Sequence, residues 1–144
     1  MGGVSGHLNH LYDNRDLTYD DIADILIKAA AGELVGTEKT DGFNIFLGYV
    51  NGQPRAARNK GDMAKGGMTL EDLLARKFQG GEKARQAYLQ AFEAYSKALN
   101  TLSEKEITSI FGKDGEIFYN AEIQGPLAKN VINYDTNIIN IHQM

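Results

Sequence analysis

The chain has no cysteine, which excludes disulfide bridges and thiolate metal sites. It has no apolar run long enough to cross a bilayer. It has no basic start followed by an apolar stretch, so Met1-Gly2-Gly3-Val4-Ser5-Gly6 does not read as a signal peptide. Gly6 also stands where the N-myristoylation pattern wants Ser or Thr. There is no excess of positive charge: the formal net charge is -4, so any nucleic-acid contact needs a local basic patch. These absences lead to the expectation of a cytoplasmic protein with no membrane partner. What is present suits one domain: 144 residues, 42% of them hydrophobic, are enough for a core.

The residues richest in chemistry are Glu38-Lys39-Thr40-Asp41-Gly42, set between Leu34-Val35 and Phe43, Ile45, Phe46 and Leu47. A lysine entering a turn can act as an amine nucleophile. An aspartate two residues on can orient it or hold a metal that carries phosphate. The glycine allows a tight turn or close approach to a ligand. The plain alternative is a hairpin turn with a solvated lysine, since K-x-D-G is a short pattern of common residues.

Upstream, His7 and His10 are three residues apart with no third ligand nearby, which favours packing or surface over a metal. Thr18 is an N-cap, and Asp20 and Asp21 suit the first turn of a helix whose apolar face is Ile22, Ile25, Leu26 and Ala29, ending at Gly32. A strand is expected over Leu34–Lys39, a second over Phe43–Val50, a hairpin at Asn51-Gly52 and a return strand over Gln53–Asn59. Lys39 and Arg58 then fall at the ends of neighbouring strands. A loop is expected over Gly61–Gly67, basic and glycine-rich but without P-loop spacing.

Three helices follow. One is capped by Thr69 and carries Leu70, Leu73, Leu74 and Phe78. One runs from about Glu82 to Leu102 with an aromatic stripe of core type. One opens on the Ser103/Glu106 capping box and runs to Gly112. Together, at about 69–112, they read as a helical insertion between sheet segments. A strand over Ile117–Gln124 places Phe118, Asn120, Glu122 and Gln124 on one face, so that Glu122 is a charge amid apolar neighbours, costly unless paired, metal-bound or facing a cleft. Short strands are expected over Asn130–Tyr134 and Asn137–His142. The fold class is α+β: an antiparallel sheet with an N-terminal helix and a helical insertion.

Lys39, Asp41-Gly42, Arg58 and Glu122 occur in an order, and at strand positions, that resemble the adenylation domain of ATP-dependent RNA and DNA ligases and mRNA capping enzymes. The phrase Phe118-Tyr119-Asn120-Ala121-Glu122-Ile123-Gln124-Gly125-Pro126 is similar to the third motif of that family, as found in RNA ligases. Tyr134, Asp135 and the strand to Ile141 sit where the family has its next strand, and the chain as a whole resembles bacteriophage proteins that carry this domain. The resemblance spans about Leu34 to His142.

It implies a partial ATP-grasp-like nucleotidyltransferase fold. Lys39 would attack the α-phosphate of ATP to form a lysyl-AMP, with Asp41 supporting it. Thr37, Glu38, Gly42, Arg58 and Glu122 make up the implied nucleotide-binding set: Thr37 and Glu38 near adenine, Arg58 on the ribose or a nucleic-acid end, and Glu122 on the ribose or a divalent metal, Mg2+ or Mn2+. An ordinary lysine titrates near 10.4, so a neutral amine at pH 7 costs about 4–5 kcal/mol, which metal, Arg58 and burial would have to supply.

Two further family motifs, one with a glutamate and one with paired lysines, have no counterpart before Met144, and the last strand lacks the aromatic that the family stacks on the purine. The resemblance therefore implies a C-terminally truncated domain from a bacterial or phage-infected cell. It is either a piece of a ligase or a non-catalytic module for nucleotide or nucleic-acid binding or viral assembly. ATP against GTP, and RNA against DNA ends, stay open. An uncovered last strand would favour a homodimer.

Overall fold

The structure, a computed structural model, describes residues 11–36, 41–78, 80–115, 117–128 and 132–143. The chain divides into two units, residues 1–39 and 40–144. His7 and His10 lie outside the described residues.

In the first unit a 3-10 turn at Leu11–Asp13 precedes helix α1, Tyr19–Ala30. Thr18 caps α1 as expected: its hydroxyl accepts from the Asp21 amide at 3.2 Å, and Asp21 accepts from the Thr18 amide at 2.8 Å. Gly32 has φ +73°, a left-handed conformation that costs glycine little and stops the helix here. The strand expected from Leu34 is absent over residues 34–36. Val35 there is 99% exposed, so its β-branched side chain lacks the packing neighbours that favour a strand.

The second unit is built on a sheet. Among the described residues four strands, β1 (Phe43–Val50), β2 (Gln53–Ala57), β3 (Phe118–Gln124) and β4 (Ile138–Gln143), pair antiparallel in the order β2-β1-β3-β4. Asn51 and Gly52 both take positive φ, 52° and 76°, which makes the expected two-residue hairpin turn. The return strand stops at Ala57, two residues early. Arg58 and Asn59 leave it because Asn59 caps a short helix, α2 (Lys60–Ala64), inside the segment expected to be a loop. After α2 the chain runs back along β2, where Met68 and Ala56 exchange backbone hydrogen bonds and cover that edge of the sheet.

Helices α3 (Leu70–Ala75), α4 (Gly81–Leu99) and α5 (Glu104–Phe111) follow as the expected insertion. Thr69 with Asp72, and Ser103 with Glu106, form reciprocal capping boxes. α3 ends at Ala75, so Phe78 belongs to the connection and not to the helix. No strand occurs over residues 132–134.

Alternation divides the sheet into two faces. Phe43, Ile45 and Leu47 lie with Ala121 and Ile123 against Leu73, Ala87, Tyr88, Ala91 and Phe92 of the helices. Ile45 and Leu73 are fully buried there. Two tyrosines of α4 tie the layers together: Tyr88 Oη donates to the Asn44 carbonyl at 3.1 Å and Tyr95 Oη to the Gly48 carbonyl at 2.9 Å. Burial raises the pKa of both phenols, so they remain neutral donors; for Tyr88 the nearby Arg58 guanidinium acts in the opposite sense. The other face carries Asn44, Asn120, Glu122 and Asn140 at paired register positions.

Candidate functional site

The Asp41-Gly42 segment enters β1 at the edge of this polar face. Glu122 is opposite Asn44, one strand over. Its carboxylate reaches back along the ladder, and Oε1 accepts from the Gly42 amide at 2.6 Å. The approach is close enough to require glycine. A Cβ at residue 42 would run into the Ile123 carbonyl oxygen and come within 3.0 Å of Glu122 Cγ. So the glycine read as permitting close approach is used, in this structure, for approach to β3.

Asp41 is half-buried and fastens the segment that follows β3. Its Oδ2 accepts from the Ile132 amide at 2.8 Å, and its own amide donates to Tyr134 Oη at 3.3 Å. The second Glu122 oxygen, Oε2, lies 3.1 Å from His142 Nε2 of β4. The two side chains are 18% and 31% exposed, which puts the charge in a partly screened setting where a hydrogen-bonded partner matters. Asn44 Nδ2 donates to Asn120 Oδ1 and, at 3.3 Å, to the Ala121 carbonyl. The face is thus a ladder of carboxamides, a carboxylate and an imidazole across β1, β3 and β4.

Three sequence-predicted positions, Asp41, Gly42 and Glu122, are brought together here. Arg58 is not among them. Its guanidinium lies on the helix-covered side, 4.8 Å from the centre of the Tyr88 ring and 5.6 Å from that of Phe78. Phe78 stacks on Tyr88 at 4.9 Å, and Phe43 on Tyr88 at 5.7 Å. The Arg58 amide donates to Asp62 Oδ2, which also pairs with Arg76 at 3.0 Å. Arg58 Nε is buried and, among the described residues, has no hydrogen-bond partner, as suits a cation held by ring faces. Thr37, Glu38 and Lys39 lie outside the described residues.

Reading the residues in sequence missed His142 and the Asn44–Asn120 pair. The available signal was alternation: Asn140 and His142 are two apart, as are Asn120 and Glu122, and both pairs put polar groups on one face of a strand. A cleft of about 190 Å³ lies elsewhere, where α4 meets β3 and β4, lined by Ala87, Ala91, Ile123, Leu127, Ala128 and Ile139 among others. Its lining contains no acid, base or histidine, so it lacks the groups that chemistry on a nucleotide needs.

Among the described residues no three His, Asp or Glu side chains gather as a metal site. The donor set suits a divalent ion only as Mg2+ is commonly held, by one or two carboxylates together with phosphate oxygens. Glu122 is the carboxylate on this face with that chemistry.

Comparison with protein-family models, with curated proteins and with solved structures gave no match. No helix among the described residues is long and apolar enough to cross a membrane.

Proposed function

We propose that the chain is an ATP-dependent nucleotidyltransferase of RNA- or DNA-ligase type, with Lys39 as the nucleophile. The observation that supports this best is the 2.6 Å hydrogen bond from the Gly42 amide to Glu122. Residues 80 positions apart, picked out on separate motifs, meet at one point of the sheet. A K-x-D-G that was merely a turn has no reason to be joined to a mid-strand carboxylate.

In this reading the Lys39 amine attacks the α-phosphorus of ATP. A P–N bond forms, the bond from the α-phosphorus to the bridging oxygen breaks, pyrophosphate leaves and the amine's proton goes to solvent. The Asp41 amide is held by Tyr134 and the Gly42 amide by Glu122. Glu122 also presents a carboxylate to a ribose hydroxyl or to the Mg2+ or Mn2+ that accompanies the nucleotide, an ion that offsets phosphate charge. The 5′ or 3′ end of an RNA or DNA strand is the acceptor in this reading, in a bacterial or phage-infected cytoplasm.

The position of Arg58 favours a second reading. A guanidinium lying over the stacked Phe78 and Tyr88 rings on the helix side supports the fold and leaves the Glu122 face without it. That suits a domain of this type kept to bind nucleotide or nucleic acid, or as a viral structural module, without catalysis.

Intact-mass spectrometry after incubation with ATP and Mg2+ separates the two. The ligase reading expects a gain of one AMP, lost in Lys39→Ala. Nucleotide binding with no gain in mass would overturn it in favour of the binding module.

A further inference from the structure

β4 is irregular at one place. Ala121 pairs with Ile141 and Asn120 with Gln143, so His142 is the extra residue of a β-bulge. A bulge re-aims a side chain, and bulges collect at sheet edges and beside active sites. This one is at an edge. His142 lies at the shift, with its Nε2 3.1 Å from Glu122 Oε2. An ionised carboxylate can only accept, so Nε2 carries the hydrogen and donates to Oε2. The opposite oxygen, Oε1, accepts from the Gly42 amide.

We propose that His142 is a positioning residue for the nucleotidyltransferase site. Its Nε2–H fixes the Glu122 carboxylate so that Oε1 stays on the Gly42 amide, and this holds the backbone three residues after Lys39. The role rests on the ligase reading above, but the linkage from His142 through Glu122 to Gly42 does not. Without the ring, Glu122 loses the anchor on Oε2, and the hold on its rotamer is weaker. An ornamental surface pair would not place the second carboxylate oxygen on the backbone of the K-x-D-G segment.

The test uses His142→Ala and His142→Gln in the full chain, with Gly42 observed by NMR. An amide donating to a carboxylate in a short, charge-assisted bond resonates downfield and exchanges slowly. In His142→Ala the Gly42 amide is expected to move upfield and exchange faster. In His142→Gln, whose carboxamide N–H replaces the ring donor, it is expected to return toward the wild-type position. The single-turnover rate of lysyl-AMP formation is expected to fall by about tenfold to a hundredfold in His142→Ala, with ATP affinity changed by less than about threefold. A Gly42 amide that is the same in wild type and both folded variants overturns the proposal. If the wild type forms no adduct while Gly42 still responds to His142→Ala, the ligase reading falls and the positioning of Glu122 by His142 stands.

Discussion

The two faces of the sheet solve different problems with the same four strands. On one, Phe43, Ile45, Leu47, Ala121 and Ile123 meet helices α3 and α4 and exclude water. Even the cation there, Arg58, is held by aromatic rings. On the other, directional hydrogen bonds join Asn44 to Asn120 and Glu122 to His142, with Asn140 in register beside Glu122. The first face is held by non-directional burial, which tolerates some repacking. The second depends on geometry at single atoms, because a half-buried carboxylate is costly wherever a partner is lost. The contrast shows where stability and chemistry are kept: substitutions on the helix side should act on folding, and those on the polar side on what the face can hold.

The largest effect should come from the helix side. Ile45→Ala removes a fully buried side chain from β1 and is expected to lower unfolding free energy by about 2–5 kcal/mol in urea titrations. A loss below about 1 kcal/mol would show that this face does not carry the fold.

Gly42→Ala sets a methyl group against the Ile123 carbonyl. About 1–3 kcal/mol of stability should be lost, with the Gly42–Glu122 bond broken. AMP transfer should be lost even at temperatures where the variant remains folded. Retained transfer would separate the bond from the chemistry.

Arg58→Lys tests the boundary between the faces. Lysine keeps the charge but not the flat guanidinium, and about 1–2 kcal/mol of ring stacking should go. ATP affinity, measured by calorimetry, should change by less than about threefold. A tenfold loss would mean that Arg58 serves the nucleotide despite its side of the sheet.

The smallest effect concerns acid. Hydrogen bonds from the Thr69 backbone and side chain hold Asp72 below the usual carboxylate pKa, and those from the Ser103 side chain and backbone hold Glu106 below its own. A depressed native pKa means that the capping contribution is complete above the unfolded values, 3.8 and 4.5, and is lost as pH falls through the lower native ones. Amide exchange in the first turns of α3 and α5 should therefore rise below about pH 4. Exchange at Ile45 in the sheet should not rise with it.

Much of the helical structure was legible because its signals are local. Thr18, Thr69 and Ser103 each sit three residues before an acid that completes a capping box, and Asn51-Gly52 marks its turn without help from elsewhere. The readings that failed depended on distant partners. Leu34-Val35 has strand-like residues but no ladder over residues 34–36. α2 is the exception: it opens on a local cap, Asn59 accepting from the Asp62 amide, a signal the sequence did carry and the glycines and lysines around it masked; the pairing of Met68 with β2 that follows depends on tertiary structure.

Of the candidate site, the sequence by itself determined the residue types, their order and the alternation that puts Glu122 on a polar face, because strand periodicity depends on neighbours in the chain. Only the tertiary structure decided that Glu122 meets Gly42, that His142 reaches the same carboxylate and that Arg58 turns to the helices. Those outcomes depend on register between strands far apart in sequence, where a shift of one residue turns a side chain to the opposite face.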